Sequence, residues 1–161
     1  MVSLNLKAME RLSKHVSYKE GIHSITALRL GLKNDPSESH LENMKLIAEK
    51  VFEPLRVHVG GPIKINSFYR GPELNAAIGG SAKSQHCHGQ AMDIDDTYGH
   101  MSNADMYKFI KENLEFDQMI WEFGTDENPD WVHVSYTNPG ENRKRCLKAY
   151  RENGKTKYMV I

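Results

Sequence analysis

One short stretch of the sequence concentrates side chains that bind metal ions. Residues 84–95 (SQHCHGQAMDID) place imidazole, thiol and carboxylate groups around a glycine. An imidazole at His86 and a carboxylate at Asp93 are both good zinc ligands, and Gly89 between them permits the tight turn that would bring both to one ion. Tetrahedral zinc needs a third protein ligand, and the best candidate is His133 in the β-type run WVHVS. We therefore expect one zinc ion.

This ligand set predicts a chemical activity. Two histidines and one carboxylate leave the fourth tetrahedral position of a zinc ion open to water, as in catalytic zinc sites. Zinc lowers the pKa of such a water towards ~7, so hydroxide becomes available at neutral pH. A site built only for stability usually closes that position with another Cys or His. Hydrolysis is the favoured interpretation, and a structural zinc, or no metal, in a binding module is the alternative.

Other side chains near these residues compete for the ligand role. In the alternating run AMDID, Asp95 shares a face with Asp93, whereas Met92 and Ile94 point to the opposite face. Cys87 and His88 flank His86, but adjacent residues rarely both point at one ion, so we expect neither to bind it.

Two paired motifs carry a resemblance to a known family. The pattern SxHxxGxAxD, which begins at Ser84, is followed downstream by DWVH, which begins at Asp130. Together they resemble the M15 family of zinc D-Ala-D-Ala carboxypeptidases and L-alanyl-D-glutamate endopeptidases of bacteria and phages. The likeness runs from about Leu12 to Tyr136. It includes INSFYRGPELN and IGG, within residues 65–80, which match phage and prophage members.

The resemblance implies a role for each matched residue. The zinc ligands would be His86, Asp93 and His133, which leaves Asp95 outside the ligand set. Asp130 would be the catalytic acid/base, and Arg70 would stabilise the oxyanion or a carboxylate of the substrate. We also expect further contacts with the substrate from three side chains in or beside these motifs: Ser84, Gln85 and Trp131.

The acid that transfers protons is less certain from the sequence. Asp130 lies three residues before His133 and would face away from it in an ideal strand, so it can act only if the chain at Pro129 bends the strand entry. In the preceding β-type run, alternation places Glu122 on the same face as Ile120. It would line the cleft, orient a ligand or lie in solvent.

The elements that must position these residues follow from hydrophobic periodicity and from turn signals. Helices are predicted over residues 39–52, 72–77 and 102–114, and Pro54 should end or kink the first of them. Strands are predicted over 62–68, 91–95, 116–123 and 131–137, with a final hairpin of 145–151 and 155–161 around Asn153-Gly154. The pattern favours an α+β fold: an antiparallel sheet with the zinc site on one face and helices on the other. By resemblance this is the hedgehog/DD-peptidase fold.

Composition excludes several classes of protein. The 161 residues suit one domain, 1–161, and the 21 basic and 21 acidic residues cancel, so no net charge would recruit nucleic acid or an anionic membrane. Two cysteines do not suggest a disulfide framework and fit a reducing compartment. Residues 1–11 lack the apolar core of a signal peptide, and no run is long enough to insert into a membrane. A monomer made in the cytoplasm is expected.

The resemblance also implies a substrate. It predicts a zinc metallopeptidase that hydrolyses the stem peptides of bacterial peptidoglycan, either as a D-Ala-D-Ala carboxypeptidase or as an endopeptidase. By analogy with phage enzymes, the protein would reach the cell wall after phage-type release or as a virion component. The alternative is a non-catalytic module, stabilised by zinc, that binds the cell wall or builds a phage virion.

Overall fold

The computed structural model describes residues 10–161. The expectation of no signal peptide in residues 1–11 lies almost wholly outside them. The strands are β1 (Arg11–Ser13), β2 (Val16–Ser17), β3 (Lys64–Ser67), β4 (Ala91–Asp95), β5 (Gln118–Glu122), β6 (Trp131–Ser135), β7 (Arg145–Glu152) and β8 (Lys155–Val160). The α-helices are α1 (Tyr18–Ile22), α2 (Ile25–Leu30), α3 (Glu38–Ile47), α4 (Glu53–Val59), α5 (Pro72–Ala77) and α6 (Asn103–Asn113). A π-helical turn (Ala48–Phe52) and a 3₁₀ turn (Gln85–His88) complete the described elements.

A six-stranded sheet in the order β3-β4-β6-β5-β7-β8 organises the fold. Every neighbouring pair is antiparallel except β5 and β7, which run parallel. The expected α+β class is confirmed, and the sheet is mixed where a fully antiparallel one was predicted. The reason is the strand order: β5 lies between β6 and β7, so the chain crosses over β5 and starts β7 in the same direction as β5.

The two faces of the sheet differ in chemistry. On one face, the side chains of Met92, Ile94, Val132 and Val134 are buried against the helices in one hydrophobic core. On the other face lie Asp93 of β4 and His133 of β6, which are only partly buried. Because successive side chains of a strand point to opposite faces, the alternation read from the sequence separates core from site as predicted.

The long helical segment passes through Pro54 without ending there. The π-helical turn of residues 48–52 widens the helix just before the proline, and Pro54 then stands in the first turn of α4, where its missing N–H is not needed. The helix ends at Gly60, which has a left-handed conformation (φ 77°). Leu55 therefore continues the buried stripe of α3 into the core.

Local signals in the sequence explain two helix caps and the predicted hairpin turn. Ser17 and Glu20 form a capping box at the start of α1, and the Ser102 hydroxyl accepts a hydrogen bond from the backbone of Asp105 at the start of α6. Asn153 and Gly154 both have positive φ angles and join β7 to β8 as the predicted hairpin turn. Among residues 10–161, no helix combines the length and the apolar character needed to cross a bilayer.

Candidate active site

Three ligand-type side chains meet on the solvent-facing side of β4 and β6. One ligand atom each from His86, Asp93 and His133 lies within 4.8 Å of the other two. The carboxylate is at the centre, since Asp93 Oδ1 is 3.3 Å from His86 Nε2 and 2.9 Å from His133 Nδ1. This is the group that the sequence predicted, and its two nitrogens and one oxygen are a donor set that suits zinc.

His86 is held in the tautomer that a metal requires. The residue is 1% exposed, and its Nδ1 lies 2.7 Å from the carbonyl oxygen of Phe68. Because a carbonyl can only accept, Nδ1 must carry a proton, and in the neutral imidazole the lone pair is then on Nε2, which faces Asp93. An imidazole whose other nitrogen donates to a backbone carbonyl is the usual arrangement around a protein-bound metal. The site therefore fits a zinc ion.

The turn that carries His86 depends on its two ends. Ser84 caps the 3₁₀ turn, because its hydroxyl accepts a hydrogen bond from the His86 N–H over 3.3 Å. Gly89 ends the turn with a φ of 72°, and a Cβ there would lie 2.5 Å from the backbone oxygen of His40. Both the left-handed conformation and the close approach require glycine at this position.

Asp93 and His133 are direct partners across the β4/β6 pair. Burial alone would raise the pKa of the Asp93 carboxyl, but His86 and His133 together outweigh that effect and hold the pKa well below its usual range. Asp93 therefore stays ionised, as a metal ligand must.

A long groove crosses the sheet over these three residues. Its volume is about 820 Å³, and it runs from the loop after α5, through β4, β6 and β5, to the β7–β8 hairpin. A second depression of about 380 Å³ adjoins it at Arg70 and Ile78 and extends along β3. The metal-type ligands thus lie part-way along an open channel, with room for chain on both sides.

Arg70 lines both depressions, and backbone hydrogen bonds fix its position. Its N–H donates to the carbonyl of His86 over 3.1 Å, which ties it to the metal-type ligand, while its buried Nε has no partner among the described residues. The side chain of Asn34 binds the residues on both sides of Arg70. Its Nδ2 donates to the carbonyl of Tyr69 over 3.0 Å, and its Oδ1 accepts from the N–H of Gly71 over 2.7 Å. No local pattern in the sequence marks this role of Asn34, which precedes Asp35-Pro36 like an ordinary turn residue.

Glu122 lies on the floor of the groove, diagonally opposite His133 on the neighbouring strand. Its side chain points to the same side as Ile120, as the alternation predicted, and the residue is 9% exposed. Burial raises the pKa of Glu122 to about 7, and Asp93 adds to the rise while His133 opposes it. A divalent cation nearby would lower that value, since it favours the charged carboxylate.

Asp130 is not among the residues that line the groove. It precedes the first residue of β6, is exposed, and lines an adjoining depression of about 450 Å³, which shares Phe123 and Trp131 with the groove. Its backbone N–H donates to the carbonyl of Glu122 over 2.9 Å. Its catalytic role stays a prediction.

The predicted substrate contacts all lie along the groove. Ser84 is engaged as the cap of the 3₁₀ turn. The Gln85 amide donates to the buried Asp117 carboxylate over 3.0 Å, which also accepts from the Arg143 guanidinium. Trp131 is half-buried and packs near Phe123 with ring centroids 5.6 Å apart.

Comparison with known proteins places the chain in a family. The family model described as Peptidase M15 matches residues 14–135, which is more than half of the chain. The chain belongs to the M15 peptidase family. This family supports a hydrolase of the zinc metallopeptidase type, and the mixed α+β architecture agrees with it. No curated protein shows a significant match.

The matched range contains every residue that the sequence singled out for chemistry. It begins within β1–β2 and ends at Ser135, the last residue of β6. The β7–β8 hairpin therefore lies beyond the matched residues, although side chains from both of its strands line the groove.

Proposed function

We propose that this M15 peptidase is a zinc endopeptidase that cleaves stem peptides of bacterial peptidoglycan. The observation that carries the proposal is the position of His86, Asp93 and His133 part-way along an open groove. A carboxypeptidase has to close one side of its site around a terminal carboxylate. An endopeptidase has to leave room for chain on both sides of the scissile bond, and the continuation of the groove at Arg70 and at β8 supports that type.

The ligand residues prepare the site for a metal. When bound, zinc would supply a Lewis acid that polarises the scissile carbonyl and activates water. His86 is fixed by Phe68 and Asp93 is fixed in the β4 ladder, so these ligands need little reorganisation. Preorganised groups of this kind account for much of the catalytic effect in enzymes.

We propose that Arg70 and Glu122 provide the remaining chemistry. Arg70 is anchored to the backbone of His86 and lines the groove, and no acidic side chain pairs with it among residues 10–161, so its guanidinium is available to bind the negative charge that develops on a carbonyl oxygen. Glu122 faces the groove beside His133, where it can accept a proton from water and return it to the leaving amine. The resemblance assigns this proton transfer to Asp130, but its placement outside the groove favours Glu122.

The test is digestion of purified peptidoglycan and of defined stem peptides by zinc-loaded protein. Products are weighed by mass spectrometry, and His133→Ala serves as the control that lacks a ligand. We expect two peptide fragments from cleavage of an internal bond. Loss of one terminal D-Ala instead would overturn the endopeptidase assignment.

A second readout covers the non-catalytic alternative. If the zinc-loaded protein cleaves none of these substrates but sediments with purified cell walls, the peptidase proposal fails, and a wall-binding module takes its place. Hydrolysis that disappears in His133→Ala supports the proposal.

A further inference from the structure

The β7–β8 hairpin builds one end of the groove. Its strands lie beyond the residues that match the family, yet Arg145 and Leu147 of β7 and Thr156 and Tyr158 of β8 all line the groove. Register explains this, because Ile120 of β5 pairs with Leu147, and Leu147 pairs with Val160. The hairpin thus extends the site-bearing face of the sheet outwards from the metal-type ligands.

Arg145 places a positive charge in this end of the groove. The residue is exposed, and no acidic group lies within salt-bridge distance of its guanidinium among residues 10–161. Its neighbour Arg143 differs, because the buried Asp117 carboxylate already binds that guanidinium at 2.8 Å. Arg145 is therefore free to bind a ligand.

The charges along the groove are arranged unequally. Its basic residues are Arg70, Lys83 and Arg145, which lie along its length. The acids that line it, among the described residues, are Asp93 and Glu122, and both lie at the metal-type ligands. Away from that centre the groove is basic, so it complements an anionic peptide.

An apolar floor separates Arg145 from the centre. Ile120 and Leu147 are 7% and 4% exposed and lie between His133 and the hairpin. With strands ~4.8 Å apart and ~3.3 Å of rise per residue, the Cα of Arg145 lies on the order of 12 Å from that of His133. The arginine side chain covers part of that distance, and an extended peptide covers ~3.3–3.6 Å per residue. A group bound by the guanidinium would therefore lie about two residues from the scissile bond.

We infer that Arg145 forms a subsite for a carboxylate-bearing residue of the peptide substrate, with small aliphatic side chains lying over Ile120 and Leu147. The inference rests on the proposed function, since it assumes that a peptide occupies the groove. Arginine suits this task because its planar guanidinium can donate two parallel hydrogen bonds to one carboxylate. The hairpin would then set which peptides are accepted, separately from the residues that carry out hydrolysis.

The experiment compares two peptides that differ in one group. Both are stem tetrapeptides with lysine at the third position, acetylated at the amino end and amidated at the carboxyl end. One keeps the free α-carboxylate of D-glutamate, and the other carries a carboxamide there. We measure kcat/KM for both with wild type, with Arg145→Gln, and with Lys157→Gln as a control that removes one positive charge from β8, where Lys157 pairs with Glu152.

Wild type and Lys157→Gln should prefer the carboxylate peptide by about fivefold, the scale of one partly exposed charge pair, and Arg145→Gln should lose that preference. No preference in wild type, or an equal preference in Arg145→Gln, would overturn the subsite.

If no cleavage is detected, dissociation constants of the same peptides are measured by calorimetry. A carboxylate preference in binding that depends on Arg145 would then support the subsite while the peptidase proposal fails. Binding without that preference would overturn the subsite as well.

Discussion

The backbone N–H of Asp130 donates a hydrogen bond to the carbonyl oxygen of Glu122 over 2.9 Å, yet their side chains line different depressions. The two acids that compete for proton transfer are thus linked through the backbone, while the groove receives only one of the carboxylates. Substitution of each acid in turn can therefore show which of the two transfers the proton.

Glu122→Gln should keep the zinc and lower kcat by about 10²–10⁴, which is the usual share of general acid/base catalysis. Asp130→Asn is the matched control and should stay within a few-fold of wild type, because its carboxylate lies outside the groove. Rates are measured at equal zinc occupancy. The opposite pattern, with Asp130→Asn inactive and Glu122→Gln active, would return the role to Asp130.

The metal ligands give a prediction of stoichiometry. Wild type should hold one zinc per chain, whereas His86→Ala and His133→Ala should lose it, because two remaining ligands bind the ion weakly. His88→Ala is the control: this exposed histidine lies in the same turn as His86, outside the ligand group. Metal analysis after dialysis provides the measurement. Full zinc content in either ligand variant would show that the ligand set is wrong.

Arg70→Ala should leave the zinc content unchanged and slow turnover by on the order of 10²-fold, the scale for loss of one preorganised charge stabiliser. Arg70→Lys should restore only part of the rate, since an ammonium cannot present two parallel donors. Kinetics at matched metal content give the answer, and an unchanged rate in the alanine variant would make Arg70 a structural residue.

Asn34→Ala tests whether the backbone around Arg70 must be held. The change removes hydrogen bonds to the backbone of Ile22, Tyr69 and Gly71 and leaves buried polar groups unpaired, at a cost of about 1–3 kcal/mol for each group. We expect a lower melting temperature and a lower kcat with little change in zinc content. Asn113→Ala, at an exposed position on α6 away from both depressions, should change neither. A wild-type kcat in Asn34→Ala would show that the hydrogen bonds of Asn34 do not contribute to catalysis.

The sequence predicted those features that depend on neighbouring residues. Alternation in 91–95 and 131–135 assigned Asp93 and His133 to one face and the valines to the other, because side-chain direction in a strand depends only on the strand itself. The caps at Ser17 and Ser102 depend on equally local information, since a cap and its partner lie within a few residues.

The features that the sequence missed depend on strand order and on distant partners. Whether Glu122 or Asp130 faces the groove depends on how β5 pairs with β6, and the parallel pairing of β7 depends on β5 lying between β6 and β7. Asn34 binds Tyr69 and Gly71 from a distant loop, so no local pattern marks it.

Gly89→Ala should weaken both the fold and the metal site. A φ of 72° costs an alanine about 1–2 kcal/mol, and its Cβ would in addition lie 2.5 Å from the His40 oxygen. Gly99→Ala is the matched control, because Gly99 has a φ of 73° with open space around it. Unfolding free energies of the two variants isolate the steric contribution, and equal losses would show that the contact with His40 relaxes at no cost.

The last prediction concerns acid stability and the buried carboxylate of Asp117. Burial alone would raise the pKa of Asp117, but hydrogen bonds from Arg143 and Gln85 outweigh burial and lower it. A lowered pKa means that the ionised carboxylate stabilises the folded state above the unfolded value of ~3.9, and that this contribution is lost as the pH falls below it.

Asp117→Asn should therefore be less stable than wild type at pH 7, and the difference should shrink as the pH falls below about 4. Urea unfolding from pH 7 to 3, with a chelator present throughout, measures the free energies without a contribution from metal loss. Glu141→Gln removes an exposed carboxylate from the 136–144 loop, which carries Arg143, and controls for net charge. A difference between Asp117→Asn and wild type that stays constant with pH would show that packing, and not the charge of Asp117, ties the 136–144 loop to the turn that carries His86.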